Sequence, residues 1–394
     1  MSAARKLGIL TLPLHINYGG ILQCAALAQF LISNGKDVVL LERTQSAKRQ
    51  AFISVLRRFP FLNQLACWTQ PPSAPADGGP RAVSDLRRRV HHLLNAAVRE
   101  RKLAQHRPFI ERFIPVSSGP LQNTQDMIDA ARRFGLDAII VGSDQVWRPD
   151  YVPNGAIEDY FLGFAGHVPA RRVSYAASFG TTEWEHTTHT AQIRALLSQF
   201  DAVSVRETSG VAICENVFGL SQVRHVLDPT LLVDLSFYEA AAAAPGDSGA
   251  NTLLHYVLDQ SEDHAMIAQA VAESLGAGHA IRSLTLDVDT KLIDVGAWLR
   301  AFMDAKFVMT DSFHGMVFAI LFRKNFIAVL NRSRGEDRFR SLLSQLGLAD
   351  RLMDGAHMEQ ARRLAATPID FDPVHARIAE LRKSSSEFLL EALR

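Results

Sequence analysis

The chain has 394 residues, of which 47% are apolar and 21% charged, a composition typical of a globular protein with room for more than one hydrophobic core. Its formal net charge of +1 indicates no general affinity for polyanions, so we expect no nucleic-acid partner. The cysteines stand apart without a Cys-x-x-Cys pair, and no His-Glu-x-x-His motif occurs. We therefore predict no disulfide framework, no metal and no cofactor.

The sequence contains no apolar run that approaches the length of a membrane-spanning helix. Near the N-terminus, Pro13, His15 and Asn17 interrupt an apolar stretch before a signal-peptide core would be complete. We therefore expect a cytoplasmic protein.

Residues 7–42 predict a β-α-β unit, because strand-like apolar runs at 7–12 and 38–41 flank a helical pattern at 21–33. The loop after the first strand contains Asn17, Tyr18, Gly19 and Gly20. This loop lies at the carboxyl end of a strand, where α/β proteins bind ligands. The glycine pair permits a ligand to approach the backbone, although a turn and a helix start would use the same residues. The spacing is not Gly-x-Gly-x-x-Gly, so it does not favour a dinucleotide.

Residues 43–130 differ from the rest of the chain in charge. Arginines accumulate there with few acids between them, and a Pro-, Gly- and Ala-rich break at 70–80 separates two helical stretches. We predict a helical insertion in the first domain. Its basic side chains form either a solvated surface or a face that meets anionic lipid or a lipid-phosphate-linked substrate. The second alternative would place the protein at the inner face of the membrane, as a peripheral contact.

The strand pattern returns after residue 137. Apolar strands are predicted at residues 138–141, 173–177 and 202–205. Small, polar or charged residues follow each strand, which places Ser143, Asp144, Ser178 and Arg206 along one edge of one sheet. The first Rossmann-like domain is predicted to span residues 1–235.

A second α/β series follows an Ala-, Pro- and Gly-rich boundary at about 234–250. Its strands and helices are predicted at 253–258, 280–286, 295–305, 306–310, 316–323 and 326–330. We assign residues 250–370 to a second Rossmann-like domain, so the predicted fold class is α/β with two Rossmann-like domains facing a cleft. The last segment, 371–394, reads as an amphipathic helix that would pack back on the first domain.

The run from Thr310 to Gly315 connects a buried strand to a buried helix in the second domain. Asp311 or Ser312 is placed to cap this helix, and the N–H groups of its first turn would face an anion, with His314 beside them. A phosphate or a carboxylate suits that position. Without further information, the same residues would also serve as a simple cap and a packed histidine.

Motifs that occur in order along almost the whole chain resemble those of the polysaccharide pyruvyl transferases. They are Asn17-Tyr18-Gly19-Gly20, Val141-Gly142-Ser143-Asp144-Gln145-Val146-Trp147, Ser174-Tyr175-Ala176-Ala177-Ser178-Phe179-Gly180, Val203-Ser204-Val205-Arg206-Glu207, Leu227-Asp228-Pro229-Thr230 and Thr310-Asp311-Ser312-Phe313-His314-Gly315. The resemblance implies a GT-B-like pair of Rossmann domains. It also implies transfer of a pyruvyl group from phosphoenolpyruvate, as donor substrate, to two hydroxyls of a sugar, which leaves a cyclic ketal and free phosphate. The acceptor would belong to a cell-surface polysaccharide or its lipid-linked precursor.

The resemblance assigns Arg206 and His314 to the donor, and Ser312 joins them through the helix start. A third basic group is expected after residue 330, where the candidates are Arg332, Arg334, Arg338 and Arg340. We assign Arg334. Guanidinium groups suit a donor that carries a phosphate and a carboxylate, because their planar forks match both anions.

The catalytic assignments are His314 and Asp144. His314 is either the general acid that protonates the methylene carbon or a neutral hydrogen-bond donor to phosphate. Asp144 either takes the proton from the attacking hydroxyl or holds sugar hydroxyls. The residues assigned to the acceptor are Asn17, Tyr18, Gly19, Gly20, Ser143 and Asp144.

Two other functions fit the same sequence. A GT-B nucleotide-sugar glycosyltransferase shares the two-domain architecture, but such enzymes often carry a glutamate pair where residues 300–345 contain only Glu336. A non-catalytic glycan-assembly scaffold would use the basic insertion and the terminal helix, but it leaves Arg206 and His314 on opposite domains without a purpose.

Overall fold

The computed structural model describes residues 4–14, 17–44, 105–153, 155–244, 252–276, 280–285 and 293–394. Most of the predicted basic insertion, residues 45–104, lies outside the described residues, and so does the membrane contact predicted for it. Among the helices of the described residues, none is long and apolar enough to cross a membrane.

The first half of the chain is built on parallel strands. They are β1 (Lys6–Leu10), β2 (Asp37–Arg43), β3 (Ser117–Leu121), β4 (Ala138–Val141), β5 (Arg171–Ser174), β6 (Val203–Val205) and β7 (Val223–His225). The order in the main sheet is β3-β2-β1-β4-β5. β6 and β7 pair with each other and continue this sheet, because bridges join Val173 to Ala202 and Ala177 to Val205.

Helices cover both faces of this sheet, which explains why its central strands are nearly continuous apolar runs. The helices are α1 (Tyr18–Ser33), α2 (Thr124–Phe134), α3 (Ile157–Tyr160), α4 (Thr190–Leu197), α5 (Thr208–Ala212) and α6 (Leu235–Ala241). Leu7 and Ile9 of β1 belong to the core cluster that contains α1, whereas Leu10 belongs to the cluster that contains α2. Residues 105–113 are also helical.

The second half forms another parallel sheet. Its strands are β8 (Thr252–Val257), β9 (Ala280–Thr285), β10 (Phe307–Thr310), β11 (Asn325–Val329) and β12 (Leu352–Met353), in the order β12-β11-β10-β8-β9. The helices that follow or connect them are α7 (Glu262–Leu275), α8 (Val295–Asp304), α9 (Phe313–Leu321), α10 (Asp337–Gln345) and α11 (Met358–Ala366). The predicted α/β class, with two Rossmann-like parallel sheets, is confirmed.

The predicted C-terminal boundary of the insertion was wrong. The insertion was predicted to reach about residue 130, but β3 pairs with β2 at the edge of the first sheet, and α2 packs on the same sheet. The sequence of β3, Ser-Ser-Gly-Pro-Leu, has neither apolar alternation nor β-branched residues, so it carried no strand signal. Proline is tolerated there because an edge strand leaves one row of N–H groups unpaired.

A long C-terminal helix, α12 (Phe371–Ala392), contacts both halves of the chain. Near its start, the ring of His375 hydrogen-bonds the carbonyl oxygen of Ile320 at 3.0 Å. Further along, Arg382 Nε donates to the carbonyl oxygen of Leu231 at 2.7 Å, and Ser385 Oγ accepts from the N–H of Leu227 at 3.0 Å. The helix therefore connects the two halves and contacts the segment on either side of Asp228.

Candidate active site

Polar residues from three strand ends of the first sheet meet at its carboxyl edge. Arg206, after β6, donates from Nη1 to Asp228 Oδ2 at 2.8 Å and to Ser143 Oγ at 3.2 Å. Ser143, after β4, donates from Oγ to the same Asp228 oxygen at 2.8 Å. Asp144 Oδ1 lies 3.6 Å from Arg206 Nη2. Ser143, Asp144 and Arg206 were predicted to share this edge from their positions after strands, and the structure brings them into contact.

Asp228 is a central residue of this cluster, and no role was predicted for it from the sequence. The Asp-Pro-Thr motif after β7 was the available signal. Asp228 Oδ1 accepts from both the N–H and the hydroxyl of Thr230, at 3.0 and 2.7 Å. Burial by itself would raise the pKa of Asp228, but His314 and Arg206 outweigh burial and hold that pKa below its ordinary value. The carboxylate is therefore ionised and fixed in place.

Asp144 has a strained backbone that directs its carboxylate toward the cluster. Its φ of 80° lies in the left-handed region, which costs a non-glycine residue energy and is often found at functional sites. Its Oδ1 accepts from the N–H of Gln145 at 2.9 Å, and its Oδ2 accepts from Asn17 Nδ2 at 3.3 Å. Asn17 thus reaches the cluster, as predicted from its loop position.

His314 enters the same cluster from the second half of the chain. Helix α9 begins at Phe313, where Ser312 caps it by accepting from the N–H of Gly315 at 3.3 Å. The ring Nε2 of His314 lies 3.6 Å from Asp228 Oδ2 and, among the described residues, has no hydrogen-bond partner. The side chain is almost fully buried. Ser312 acts here as the cap that sets the direction of this helix start.

Gly19 makes the approach of His314 possible. A Cβ atom on Gly19 would stand 2.0 Å from His314 Nδ1 and 2.3 Å from its Cγ, far inside contact distance. A Cβ on Gly20 would meet only Asn17 Nδ2 at 3.3 Å and Asp144 Oδ2 at 3.6 Å. The first glycine of the pair is therefore required by the packing of the two halves, and the acceptor contact predicted for the pair stays a prediction.

Tyr18 lies away from the cluster, in contrast to its predicted role in acceptor binding. Its ring stacks on Trp298 at 5.4 Å, and its hydroxyl donates to the carbonyl oxygen of Ile293 at 2.8 Å. His106 packs against the other side of the ring, 5.1 Å away. Tyr18 therefore holds the N-terminal loop against the second half, because its large ring fills the apolar space between the halves.

The second arginine that lies beside Arg206 is Arg338, whereas the donor role assigned to Arg334 stays a prediction. Arg334 points to the surface, where its Nε and Nη2 pair with both carboxylate oxygens of Asp259 at 2.6 and 2.7 Å. Arg338 is buried, and its guanidinium lies 5.4 Å from the ring centroid of Phe313. Arg206 lies 4.7 Å from the same centroid. Arg334 lies in a short 3-10 turn that ends before Gly335, whereas Arg338 lies in the first turn of α10, so the two side chains point in different directions.

Two buried guanidinium groups lie on one aromatic ring, and one of them also pairs with the carboxylates of Asp228 and Asp144. Burial, followed by the charge of Arg206, lowers the pKa of Arg338 to about 10. In the part of the chain that the structure describes, Nε and Nη2 of Arg206 have no hydrogen-bond partner. Buried N–H groups of an ionised side chain are costly to leave unpaired, so an anion that accepts from them would be stabilised.

Within the described ranges, no group of three or more histidine, cysteine or carboxylate side chains is arranged to hold a metal ion.

The fold and this cluster define an α/β enzyme whose polar groups converge from two parallel-sheet domains. The family model for polysaccharide pyruvyl transferase matches residues 17–333, so the chain belongs to that family and is a transferase with a saccharide acceptor. The motifs that resembled this family in the sequence are thereby confirmed as a family match. No curated protein sequence matches the chain.

Several solved structures share part of the architecture. UDP-N-acetylglucosamine 2-epimerase from Rickettsia bellii is 11% identical, with a TM-score of 0.46 and coverage of 99% of this chain and 97% of that one. UDP-GlcNAc 2-epimerase from Methanocaldococcus jannaschii is 10% identical, with a TM-score of 0.48 and coverage of 93% of each chain. The spinosyn forosaminyltransferase SpnP is 12% identical, with a TM-score of 0.43 and coverage of 98% of this chain and 95% of that one.

Proposed function

We propose that this protein transfers the pyruvyl group of phosphoenolpyruvate to two hydroxyls of one sugar, in a cell-surface polysaccharide or its lipid-linked precursor, and forms a pyruvate ketal. The observation that carries the proposal is the pair of buried guanidinium groups, Arg206 and Arg338, on the ring of Phe313. His314 faces them from the start of α9, beside Asp228. The family match supplies the reaction class.

The donor fits this cluster by charge. Phosphoenolpyruvate carries a phosphate and a carboxylate on a three-carbon frame, so it needs fixed donors for two anions. The unpartnered N–H groups of Arg206 would bind one anion, and Arg338 the other. Because Arg206, Asp228 and His314 are each at most 5% exposed, the donor would enter while the two halves are apart and would be shielded from water when they meet.

His314 would supply a proton to the methylene carbon. The adjacent carbon then becomes cationic, and a sugar hydroxyl attacks it. Phosphate leaves, and a second hydroxyl closes the ketal ring. Of the two hydroxyl protons, one ends on the new methyl group through His314, and the other ends on phosphate. The Asp228 carboxylate, 3.6 Å from His314 Nε2, would stabilise the protonated ring.

Asp144 is proposed to act on the acceptor. Its Oδ2 accepts from Asn17, which is exposed, so this side of the cluster faces the direction from which a sugar would arrive. The carboxylate would accept the proton of the attacking hydroxyl or hold the hydroxyl pair in place. No cofactor is needed for these steps.

The experiment is phosphate release from phosphoenolpyruvate with a panel of free and lipid-linked saccharide acceptors, with product masses recorded. We expect a product that is heavier by one pyruvyl ketal, and none with a folded His314→Ala variant. His357→Ala, which changes an exposed histidine, is the matched control and should retain activity. Binding of a nucleotide sugar in place of phosphoenolpyruvate would replace this proposal with the glycosyltransferase alternative.

A further inference from the structure

A buried carboxylate that the proposed reaction does not use lies next to the donor arginines. Glu207 follows Arg206 directly, at the start of α5, and its side chain is fully buried. Its Oε1 accepts from the N–H groups of Phe179 at 2.9 Å and Gly180 at 3.4 Å. Within the described residues, its Oε2 has no hydrogen-bond partner. A buried carboxylate oxygen in this state is costly, so its presence needs a reason.

Glu207 fixes the backbone on which the second half of the chain rests. Gly180 has a left-handed φ of 68°, and its carbonyl oxygen lies only 2.5 Å from where a Cβ on Gly335 would stand. The carbonyl oxygen of Gly335 accepts from Arg338 Nε at 3.4 Å, and that of Arg334 accepts from Arg338 Nη2. A continuous series of contacts therefore connects the Glu207 carboxylate to the guanidinium of Arg338.

The ionisable groups that face Glu207 come from three elements. Arg206 lies at the end of β6, Arg338 on α10, and Cys214 in the turn after α5. Burial raises the pKa of Glu207. The charges of Arg206 and Arg338, the Ser178 hydroxyl and the Gly180 N–H oppose that rise. Burial, and then the charge of Glu207, raise the pKa of the Cys214 thiol, so it stays neutral.

The charge of Glu207 suits the empty site better than the occupied one. Without donor, the carboxylates of Asp228, Asp144 and Glu207 together balance the guanidinium groups of Arg206 and Arg338. A bound donor would bring a phosphate and a carboxylate to those same groups, and would stand near Glu207 as a like charge. A like charge favours the neutral form of a carboxyl group.

We propose that Glu207 is a positioning residue of the donor site, which holds Arg338 in place through the Gly180–Gly335 contact and takes up a proton when the anionic donor binds. This inference rests on the proposed function, since it takes phosphoenolpyruvate as the donor. The proton comes from solvent and returns to it when phosphate is released, so the overall reaction is unchanged.

Because a proton is taken up on binding, the affinity for phosphoenolpyruvate depends on pH. Affinity for phosphoenolpyruvate must fall as pH rises above the pKa that Glu207 has in the free protein, by at most about tenfold per pH unit for one proton. The Glu207→Gln side chain resembles the protonated acid and keeps an oxygen acceptor for the N–H groups of Phe179 and Gly180. The affinity of this variant for phosphoenolpyruvate should therefore lose the pH dependence that Glu207 causes. Titration of the donor's own phosphate is common to both proteins and cancels in the comparison.

The test is calorimetry of phosphoenolpyruvate binding to the full chain, in two buffers with different heats of ionisation, between about pH 5 and about pH 8. We expect the wild type to take up one more proton than Glu207→Gln. The variant should bind more tightly at the upper end of this range, by up to about tenfold for each pH unit above the pKa of Glu207 in the free protein. Glu215→Gln, which changes an exposed glutamate nearby, should match the wild type. Equal proton counts and equal pH slopes in the wild type and Glu207→Gln would overturn the inference.

His314 is the other group at the donor that could gain a proton, so His314→Gln completes the test and also covers a failure of Glu207→Gln to fold. Uptake that persists in His314→Gln supports Glu207 as the acceptor of the proton, whereas its disappearance assigns the proton to the histidine and overturns the inference. If the wild type binds no phosphoenolpyruvate, the proposed function fails and this inference with it. Binding without the extra proton would remove this inference alone.

Discussion

Replacement of Gly19 by alanine tests the docking of the two halves at the candidate active site. The new Cβ would stand 2.0 Å from His314 Nδ1, 2.3 Å from Cγ and 2.8 Å from Cβ. Carbon contacts are comfortable at about 3.5 Å, so either the ring or the whole helix start must move by roughly 1.5 Å. Rotation of the ring alone does not relieve the contact with the histidine Cβ, so α9 itself must shift.

We expect Gly19→Ala to reduce the catalytic activity strongly and the free energy of unfolding only moderately. A displacement of about 1 Å in a catalytic group can reduce turnover about a hundredfold, so we expect at least that loss in ketal formation. Overpacking costs about 1–3 kcal/mol, and alanine in place of glycine within a helix returns up to about 1 kcal/mol. The unfolding free energy should therefore fall by no more than about 3 kcal/mol.

Gly20→Ala is the matched control for this change. Its Cβ would meet nothing closer than 3.3 Å, so the same helix gains a methyl group without a displaced histidine. Activity should change by no more than a few-fold, and thermal stability should be equal or slightly higher. Phosphate release and product mass give the activity, and denaturant unfolding gives the stability. Wild-type turnover in Gly19→Ala would refute the argument that the Gly19–His314 contact sets the site geometry.

Three further changes test individual contacts. Arg338→Ala should weaken phosphoenolpyruvate binding by roughly ten- to a hundredfold, because a charged hydrogen bond contributes about 1.5–3 kcal/mol, whereas Arg340→Ala should leave binding unchanged; equal effects of the two in calorimetry would remove Arg338 from the donor site. Asp228→Asn should destabilise the fold by about 3–5 kcal/mol near neutral pH, since it breaks a buried ion pair. Because the pKa of Asp228 is depressed in the folded protein, its ionised form stabilises the fold above the unfolded-state pKa of about 3.9. Denaturant unfolding should therefore show that the difference in unfolding free energy between the wild type and Asp228→Asn becomes smaller as pH falls below about 4. A difference that does not change with pH would contradict the assignment. Tyr18→Phe should cost about 1 kcal/mol in unfolding free energy by loss of the bond to Ile293, with the stacked ring kept, and no change would mean that the bond is replaced by water.

Much of the fold could be predicted from the sequence, because its signals are local. Apolar runs with polar ends marked the central strands of both sheets, and carboxyl ends of parallel strands share an edge, which is why Ser143, Asp144 and Arg206 could be placed together. The edge strand β3 could not be predicted, because its proline, glycine and serine residues have no preference for strands. Only its pairing with β2 defines it as a strand. The structure of residues 45–104 is outside the described part of the chain, so the predicted lipid contact stays a prediction.

The sequence by itself determined the two parallel sheets, the helix start capped by Ser312 and the strand ends that carry Arg206 and Asp144, since periodicity, caps and strand ends depend on neighbours in the chain. Only the tertiary structure decided that Arg338 rather than Arg334 faces the cluster, that Tyr18 packs between the halves, and that Gly19 touches His314. These features depend on how two separately folded sheets meet. Their packing depends on close contacts between residues far apart in the chain, such as Gly180 and Gly335, and on the shapes of the side chains at the interface. Neither feature produces a periodic pattern in the sequence.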